Sequence, residues 1–256
     1  MTADAPAPSS RLDLRGRRFL VTGGAQGIGA EIVSRLSAQG AGGVVLDLAE
    51  STADAPWPAF RVDVTDEGQV SAAVATAVDE GGPFDGVVAA AGIVPSWHSP
   101  EDVDLALFDK TMAVNVRGFV VTVKAVAGSL PPGATVVAIG SLNSWRGDPN
   151  LLAYAASKHA VLGAMRSMAM ALGPKGIRVN GIAPGPVATD ALRHRMADRA
   201  VRTGDSPEEA LEAAARMTSL RRLATPGDIA DVALFLSSDL SSAVTGQLIP
   251  VDGGLL

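Results

Sequence analysis

Arg17-Arg18-Phe19-Leu20-Val21-Thr22-Gly23-Gly24-Ala25-Gln26-Gly27-Ile28-Gly29 carries an apolar run into a glycine-rich turn, and a helical pattern follows over residues 30–39. A strand that enters a helix through such a turn aims backbone N–H groups and the positive end of the helix dipole at one point, which makes an anion site. Glycine-rich turns also arise for ordinary conformational reasons. Gly23, Gly27 and Gly29 depart from the usual dinucleotide spacing, in which the first two glycines stand two apart. The turn therefore takes its meaning from what surrounds it.

The next strand, Gly43-Val44-Val45-Leu46-Asp47, ends in a carboxylate at about 20 residues beyond the glycines, where folds of this type bind the adenosine ribose. A carboxylate accepts from both ribose hydroxyls and repels a 2′-phosphate, and Leu48-Ala49-Glu50 adds no cation to offset it. This predicts NAD in preference to NADP. Residues 59–64 form a further short strand with Asp63 near its end, and a helix over residues 66–80 opens with an acidic first turn, as the dipole favours. Residues 84–92 run from a buried strand into Ala89-Ala90-Ala91-Gly92, small residues that let a flat ligand lie against the backbone. This alternation of strand and helix predicts parallel β-α-β units with right-handed crossovers.

A second stretch, Leu152-Ala153-Tyr154-Ala155-Ala156-Ser157-Lys158-His159-Ala160, sets a phenol and an ammonium four residues apart at the start of a long helix. Residues so spaced share a face, and a cation there favours the phenolate, which suits an acid/base pair. Tyr154 is the only tyrosine, and Lys158 is joined only by Lys110, Lys124 and Lys175 in a chain that otherwise uses arginine. The strand over 134–139 ends at Gly140-Ser141, and ligands of open α/β sheets bind at the carboxyl ends of strands. The Ser141 hydroxyl can thus share a ligand with Tyr154. Residues 101–128 read as helix with Asn115 inside it, a poor mid-helix residue explained by either a buried polar site or an exposed face.

Residues 177–183 form another apolar strand, and 226–237 and 247–251 a closing helix and strand. Between them, residues 190–222 hold helical stretches but no strand and read as a lid over the pocket. The cluster Arg193, His194, Arg195 and Arg199 within it reads as a solvated helix face in preference to a contact for an acidic substrate.

Length and composition bound these readings. The chain has 256 residues, 47% of them hydrophobic, with no linker-like shift, and reads as one domain over 12–256 behind a flexible tail at 1–11. Without cysteine there is no thiolate chemistry, and His98, His159 and His194 lack ligand spacing, so no metal is expected. A net charge of −6 argues against nucleic acid or an anionic membrane as partner. The first residues lack the basic start and apolar core of a signal peptide, and no apolar run approaches the ~20 residues of a membrane span. A cytoplasmic protein with a small-molecule substrate is expected.

Over residues 12–256 the chain resembles the classical short-chain dehydrogenase/reductase family. Thr22-Gly23-Gly24-Ala25-Gln26-Gly27-Ile28-Gly29 is similar to its TGxxxGxG loop, and Tyr154-Ala155-Ala156-Ser157-Lys158 to its YxxxK signature. Ser141 stands thirteen residues upstream of Tyr154, Asn115 matches the fourth catalytic position, and Pro184-Gly185 and Thr189 resemble the nicotinamide-side segment. The ending Val251-Asp252-Gly253-Gly254 is also typical. Two departures stand out: Ala89-Ala90-Ala91-Gly92 replaces the usual NNAG, which removes an asparagine that braces the sheet, and Gly140 replaces a common serine.

The resemblance implies a single-domain, Rossmann-type, doubly wound parallel sheet of about seven strands with helices on both faces. It implies hydride transfer between NAD(H) and a secondary alcohol or ketone. In that scheme Tyr154 is acid/base, Ser141 bonds the reacting oxygen, Lys158 holds the nicotinamide ribose, and Asn115 carries a water toward Lys158. Cofactor contacts are implied at Gly23, Gln26, Gly27, Ile28, Gly29, Asp47, Leu48, Asp63, Val64, Ala90, Ala91, Gly92, Tyr154, Lys158, Pro184, Gly185, Val187 and Thr189. Substrate-pocket walls are expected at Val94, Trp97, Ser141, Leu142, Asn143 and Trp145, and a homotetramer through the helices after Asn115 and Tyr154. Two rival functions are an NADPH-dependent reductase of 3-oxoacyl thioesters and a cofactor-binding sensor or scaffold without turnover. The first lacks an arginine at Ala25 or Gln26, and the second has no need of an activated phenol.

Overall fold

The computed structural model describes residues 11–49, 55–204 and 206–255. The tail expected at 1–11 therefore lies outside the described residues except for Arg11, whose guanidinium is bonded to Ser242 Oγ at 3.0 Å. Seven strands make one sheet: β1 (Arg18–Thr22), β2 (Gly42–Asp47), β3 (Ala59–Arg61), β4 (Gly86–Ala89), β5 (Thr135–Ile139), β6 (Arg178–Pro184) and β7 (Leu248–Val251). All pairings are parallel and the order is β3-β2-β1-β4-β5-β6-β7. The chain winds outward from β1 to β3 and then returns to β4 on the other side of β1. That reversal opens a crevice at the carboxyl ends of β1 and β4.

Strands covered on both faces need no polar alternation, and β4 accordingly reads Gly-Val-Val-Ala and is buried throughout. On one face, α1 (Gly27–Ala38) and α8 (Pro226–Ser237) set Ile32, Leu36, Ile229 and Ala233 against Val21, Val45 and Val137. On the other, α2 (Glu67–Gly81), α4 (Gly118–Val126) and α5 (Leu152–Leu172) bring Val70, Val74, Val126 and Met165 onto Leu20, Val87 and Val136.

The helix starts follow the residues that can cap them. Asp66 accepts from the N–H groups of Gly68 and Gln69, and Thr225 and Asp228 form a reciprocal capping box. Residues 101–128 are not one helix. A 3₁₀ turn at Pro100–Asp102 precedes α3 (Leu105–Met112), and a π-helical turn at Ala113–Arg117 separates α3 from α4. Beyond β6, α6 (Asp190–Thr203) buries Leu192 and Met196, and α7 (Pro207–Arg216) has no buried residue.

Candidate active site

Four strand ends meet at one edge of the sheet. β1 delivers the glycine-rich turn, β4 leads into Ala90-Ala91-Gly92, β5 into Gly140-Ser141, and β6 into Gly185 and the start of α6. The first two turns of α5 stand over this edge. Lys158 is only 5% exposed, and its Nζ donates to the Ile139 carbonyl at 2.8 Å, which ties α5 to the end of β5. The same Nζ lies 5.6 Å from the Tyr154 ring centroid. Ser141 caps the short turn Leu142–Ser144: its Oγ accepts from Asn143 N–H at 3.1 Å, and its own N–H donates to Ser144 Oγ at 3.2 Å. A Cβ at Gly140 would stand 3.1 Å from that same Ser144 oxygen, so the glycine departure leaves the cap room.

The Ser141 hydroxyl stands close enough to the Tyr154 phenol to stabilise its ionised form. Burial pushes the phenol above its ordinary value, and the Ser141 hydroxyl and the positive charge of Arg195 draw it part of the way back. Burial also brings the Lys158 ammonium down to about 8. Ser141 and Arg195 pull the phenol in the direction the sequence assigns to Lys158. Phenolate and ammonium are both withdrawn from water, which disfavours each charged form.

Asn115 sits on the π turn, where the widened backbone departs from α geometry. It is 3% exposed, which decides between the two explanations of its place in the sequence. Its Oδ1 accepts from Ile93 N–H at 2.8 Å, and its Nδ2 donates to the Ile93 carbonyl at 2.9 Å and to Ser157 Oγ at 3.0 Å. Ser157 in turn donates to the Tyr154 carbonyl at 2.7 Å. Asn115 thus joins the loop after β4 to the helix that carries Tyr154. Sequence reasoning missed Ser157; its one signal was a small polar residue inside the Tyr-Lys interval.

The residues expected to hold a dinucleotide form a cradle. Gly23 has φ +68, and a Cβ there would come within 2.6 Å of Ala91 N. Gly27 has φ +57 and nothing within 4 Å of where a Cβ would lie, so the turn presents bare backbone. α1 begins there with no side-chain cap and no acidic residue in its first turn, leaving its N–H groups for an anion. Asp47 closes the side: one carboxylate oxygen accepts from Ala25 N–H at 2.9 Å and the other from Ala49 N–H at 3.0 Å. Leu48 beside it is 60% exposed, an apolar surface of the kind a flat base covers. These features fit a nicotinamide dinucleotide.

Asp63 turns its Oδ1 to the N–H and hydroxyl of Thr65, both at 2.8 Å, and Val64 is buried against the position of Gly118. At the NNAG departure, Thr22 ties the segment after β4 to the end of β1. Its carbonyl accepts from Ala90 N–H at 3.1 Å and its buried hydroxyl from Ala91 N–H at 3.3 Å.

Of the expected pocket walls, Leu142 is buried, Val94, Trp97 and Asn143 are half-buried, and Trp145 is exposed. Pro184 and Val187 are buried, and Thr189 Oγ1 caps α6 through Leu192 N–H at 3.2 Å. In α6, Arg193 and His194 are exposed, as a solvated face requires, but Arg195 is half-buried and acts on the phenol. The side chain of Arg199 lies outside the described residues. The signal for Arg195 was its place one residue before Met196 and three after Leu192, on the apolar stripe.

A family model described as enoyl-(acyl carrier protein) reductase matches residues 23–256. The chain is 38% identical over 252 residues to "Short-chain dehydrogenase reductase 4" of Arabidopsis thaliana, covering 94% of this chain and 83% of that protein. It is 35% identical over 258 residues to the 7alpha-hydroxysteroid dehydrogenase of Escherichia coli (strain K12), covering 96% of each. The crystal structure of carveol dehydrogenase from Mycobacterium avium in complex with NAD superposes with a TM-score of 0.87 at 28% identity, over 94% of this chain and 98% of that one.

Proposed function

The chain belongs to the classical short-chain dehydrogenase/reductase family, and we propose that it interconverts secondary alcohols and ketones with NAD(H), using Tyr154 as the proton donor and acceptor. That it is an oxidoreductase of CH–OH and C=O groups follows from its relatives. The bound cofactor supplies or accepts the hydride. Ser141 and Tyr154 both address the substrate oxygen: the phenol O–H donates to a carbonyl being reduced, and the Ser141 hydroxyl holds that oxygen in place. A phenol pushed up by burial is protonated at neutral pH, which suits the reducing direction. Lys158, fixed by Ile139, would hold the nicotinamide ribose with its positive charge.

Both amide donors of Asn115 are committed to Ile93 and Ser157. A water passed toward Lys158 would therefore be held by an oxygen of Asn115, and the amide itself braces the site. Residues 190–222 serve as the lid, a segment with little buried surface of its own. Val94, Trp97, Leu142, Asn143 and Trp145 line the substrate side. A cytoplasmic homotetramer through α4 and α5 is the assembly we expect, and Met170 of α5, 81% exposed, marks an apolar surface for it.

The observation that carries the NAD preference is the Asp47 carboxylate, bonded to the backbone of the glycine-rich turn and left with acceptor capacity for ribose hydroxyls. A 2′-phosphate there would face an anion in a half-buried setting. The test is thermal stabilisation by NAD, NADH, NADP and NADPH. A ligand at ~100 times its dissociation constant adds ~2.7 kcal/mol. The non-phosphorylated pair should stabilise at lower concentration, and Asp47→Ser should shrink that preference by roughly 10-fold or more, from the loss of a charge-assisted hydrogen bond. A stronger effect of NADPH would replace this reading with the reductase of acyl thioesters.

A further inference from the structure

α6 leaves the carboxyl edge of the sheet directly after β6, so its inner face looks onto the site. Residues three and four apart share a helix face, and Leu192 and Met196, both buried, identify the inward one. Arg195 lies on that face and is half-buried, while Arg193 and His194 are exposed and Arg193 stands 4.0 Å from Asp190. Among the described residues, Arg195 has no carboxylate partner and its guanidinium makes no hydrogen bond. The group it does act on is the Tyr154 phenol, and each influences the ionisation of the other.

A guanidinium drawn out of water without a partner is unfavourable, and a matched anion relieves that penalty. Its planar fork of donors fits the paired oxygens of a carboxylate, sulfonate or phosphate. We propose that Arg195 binds an anionic group of the substrate, so that this enzyme acts on alcohols and ketones carrying an acid group on the α6 side of the reacting carbon. The assignment rests on the alcohol–ketone reading of the same site. It also replaces the solvated face read from the sequence for this one residue of the cluster. The cofactor carries phosphates as well, for which the turn before α1 supplies backbone donors, so the test must separate the two sources.

The experiment is calorimetric binding of short oxo acids (pyruvate, acetoacetate, levulinate) and of their amides to the full chain saturated with NAD. A ketone paired with the oxidised cofactor does not turn over, so binding is read alone. At least one acid should bind about 10-fold or more tighter than its amide, and Arg195→Gln should weaken that acid by roughly 30-fold while changing the amide by less than about threefold. Arg195→Lys, which keeps the charge and loses the fork, should fall between them. The affinity for NAD should be unchanged in both variants.

Equal binding of acid and amide, no binding of any acid, an equal loss for both in Arg195→Gln, or a loss that falls on NAD would each overturn the proposal. Reduction of the same ketones with NADH and NADPH, followed by nicotinamide absorbance, tests the underlying reading separately. Arg195-dependent acid binding without turnover of any ketone overturns the redox reading alone. Turnover of amides and acids without preference overturns the Arg195 assignment alone.

Discussion

Two walls face the same crevice and are built on different terms. Along the π turn and α5, Asn115, Ser157 and Lys158 are buried and each is bonded to backbone or to a neighbour on another element. Along α6 and α7, Leu192 and Met196 are the buried side chains described, and the ion pairs, Arg193 with Asp190 and Arg216 with Glu212, lie in water. The first wall can hold a proton donor to a fraction of an ångström because packing and hydrogen bonds over-determine it. The second contributes little to global stability and can open locally at small cost. In the proposed reading, chemistry is kept on the firmly bonded wall and substrate choice falls to the less buried one.

The sharpest way to break this contrast is Tyr154→Phe, which removes one oxygen from the rigid wall. Turnover should fall by roughly 10²–10⁴-fold, the range for a positioned acid/base, with cofactor affinity unchanged; substantial residual turnover would show that the proton travels elsewhere. Asn115→Ala should come next, since it strips partners from both polar atoms of Ile93 and from Ser157. Unsatisfied buried groups at ~1–3 kcal/mol each predict a loss of a few kcal/mol in denaturant unfolding, together with slower turnover.

Lys158→Met sharpens the comparison from the opposite side. The folded-state value of about 8 lies below the ordinary 10.5, so the folded chain holds this proton less firmly than the unfolded one. Burial of the ammonium therefore opposes folding below pH 8, and stability recovers as pH rises from about 8 to 10.5. The substitution should abolish turnover yet raise stability near neutral pH by roughly 1–3 kcal/mol, since each tenfold loss of proton affinity on folding corresponds to ~1.4 kcal/mol. It should also flatten that rise in the pH dependence of unfolding. The smallest effect belongs to the less buried wall: Arg193→Ala, at an exposed pair 4.0 Å apart, should change unfolding free energy by less than about 0.5 kcal/mol. A larger loss would mean that α6 is held more firmly than its burial suggests.

Much of this was legible beforehand because it rests on local chemistry. The apolar strands, the glycine-rich turn, the acidic first turn of the helix after Asp66 and the four-residue interval from Tyr154 to Lys158 are patterns within a few positions, and each of these formed where its pattern placed it. What stayed illegible depends on contacts between distant segments. Nothing around Asn115 announces that Ile93 waits for its amide, so the run over 101–128 read as one uniform helix. The direction in which the phenol is pushed needed the depth of the site and the reach of α6. Arg195 was hidden by its neighbours, since a cluster of charges is usually solvated and only the positions of Leu192 and Met196 set it apart.

The π turn at Ala113–Arg117 has one more consequence, for what descendants of this gene can tolerate. A helix with a residue more than its regular turns require keeps its two ends at a fixed rotational offset. Deleting that residue would let the turn relax to α geometry and remove the widened backbone that aims the Asn115 side chain. Asn115 would then no longer meet both Ile93 and Ser157, although no side chain had been substituted. A one-codon deletion here should therefore be as damaging as the loss of a catalytic group, while the exposed end of α7 should accept changes of length with little consequence.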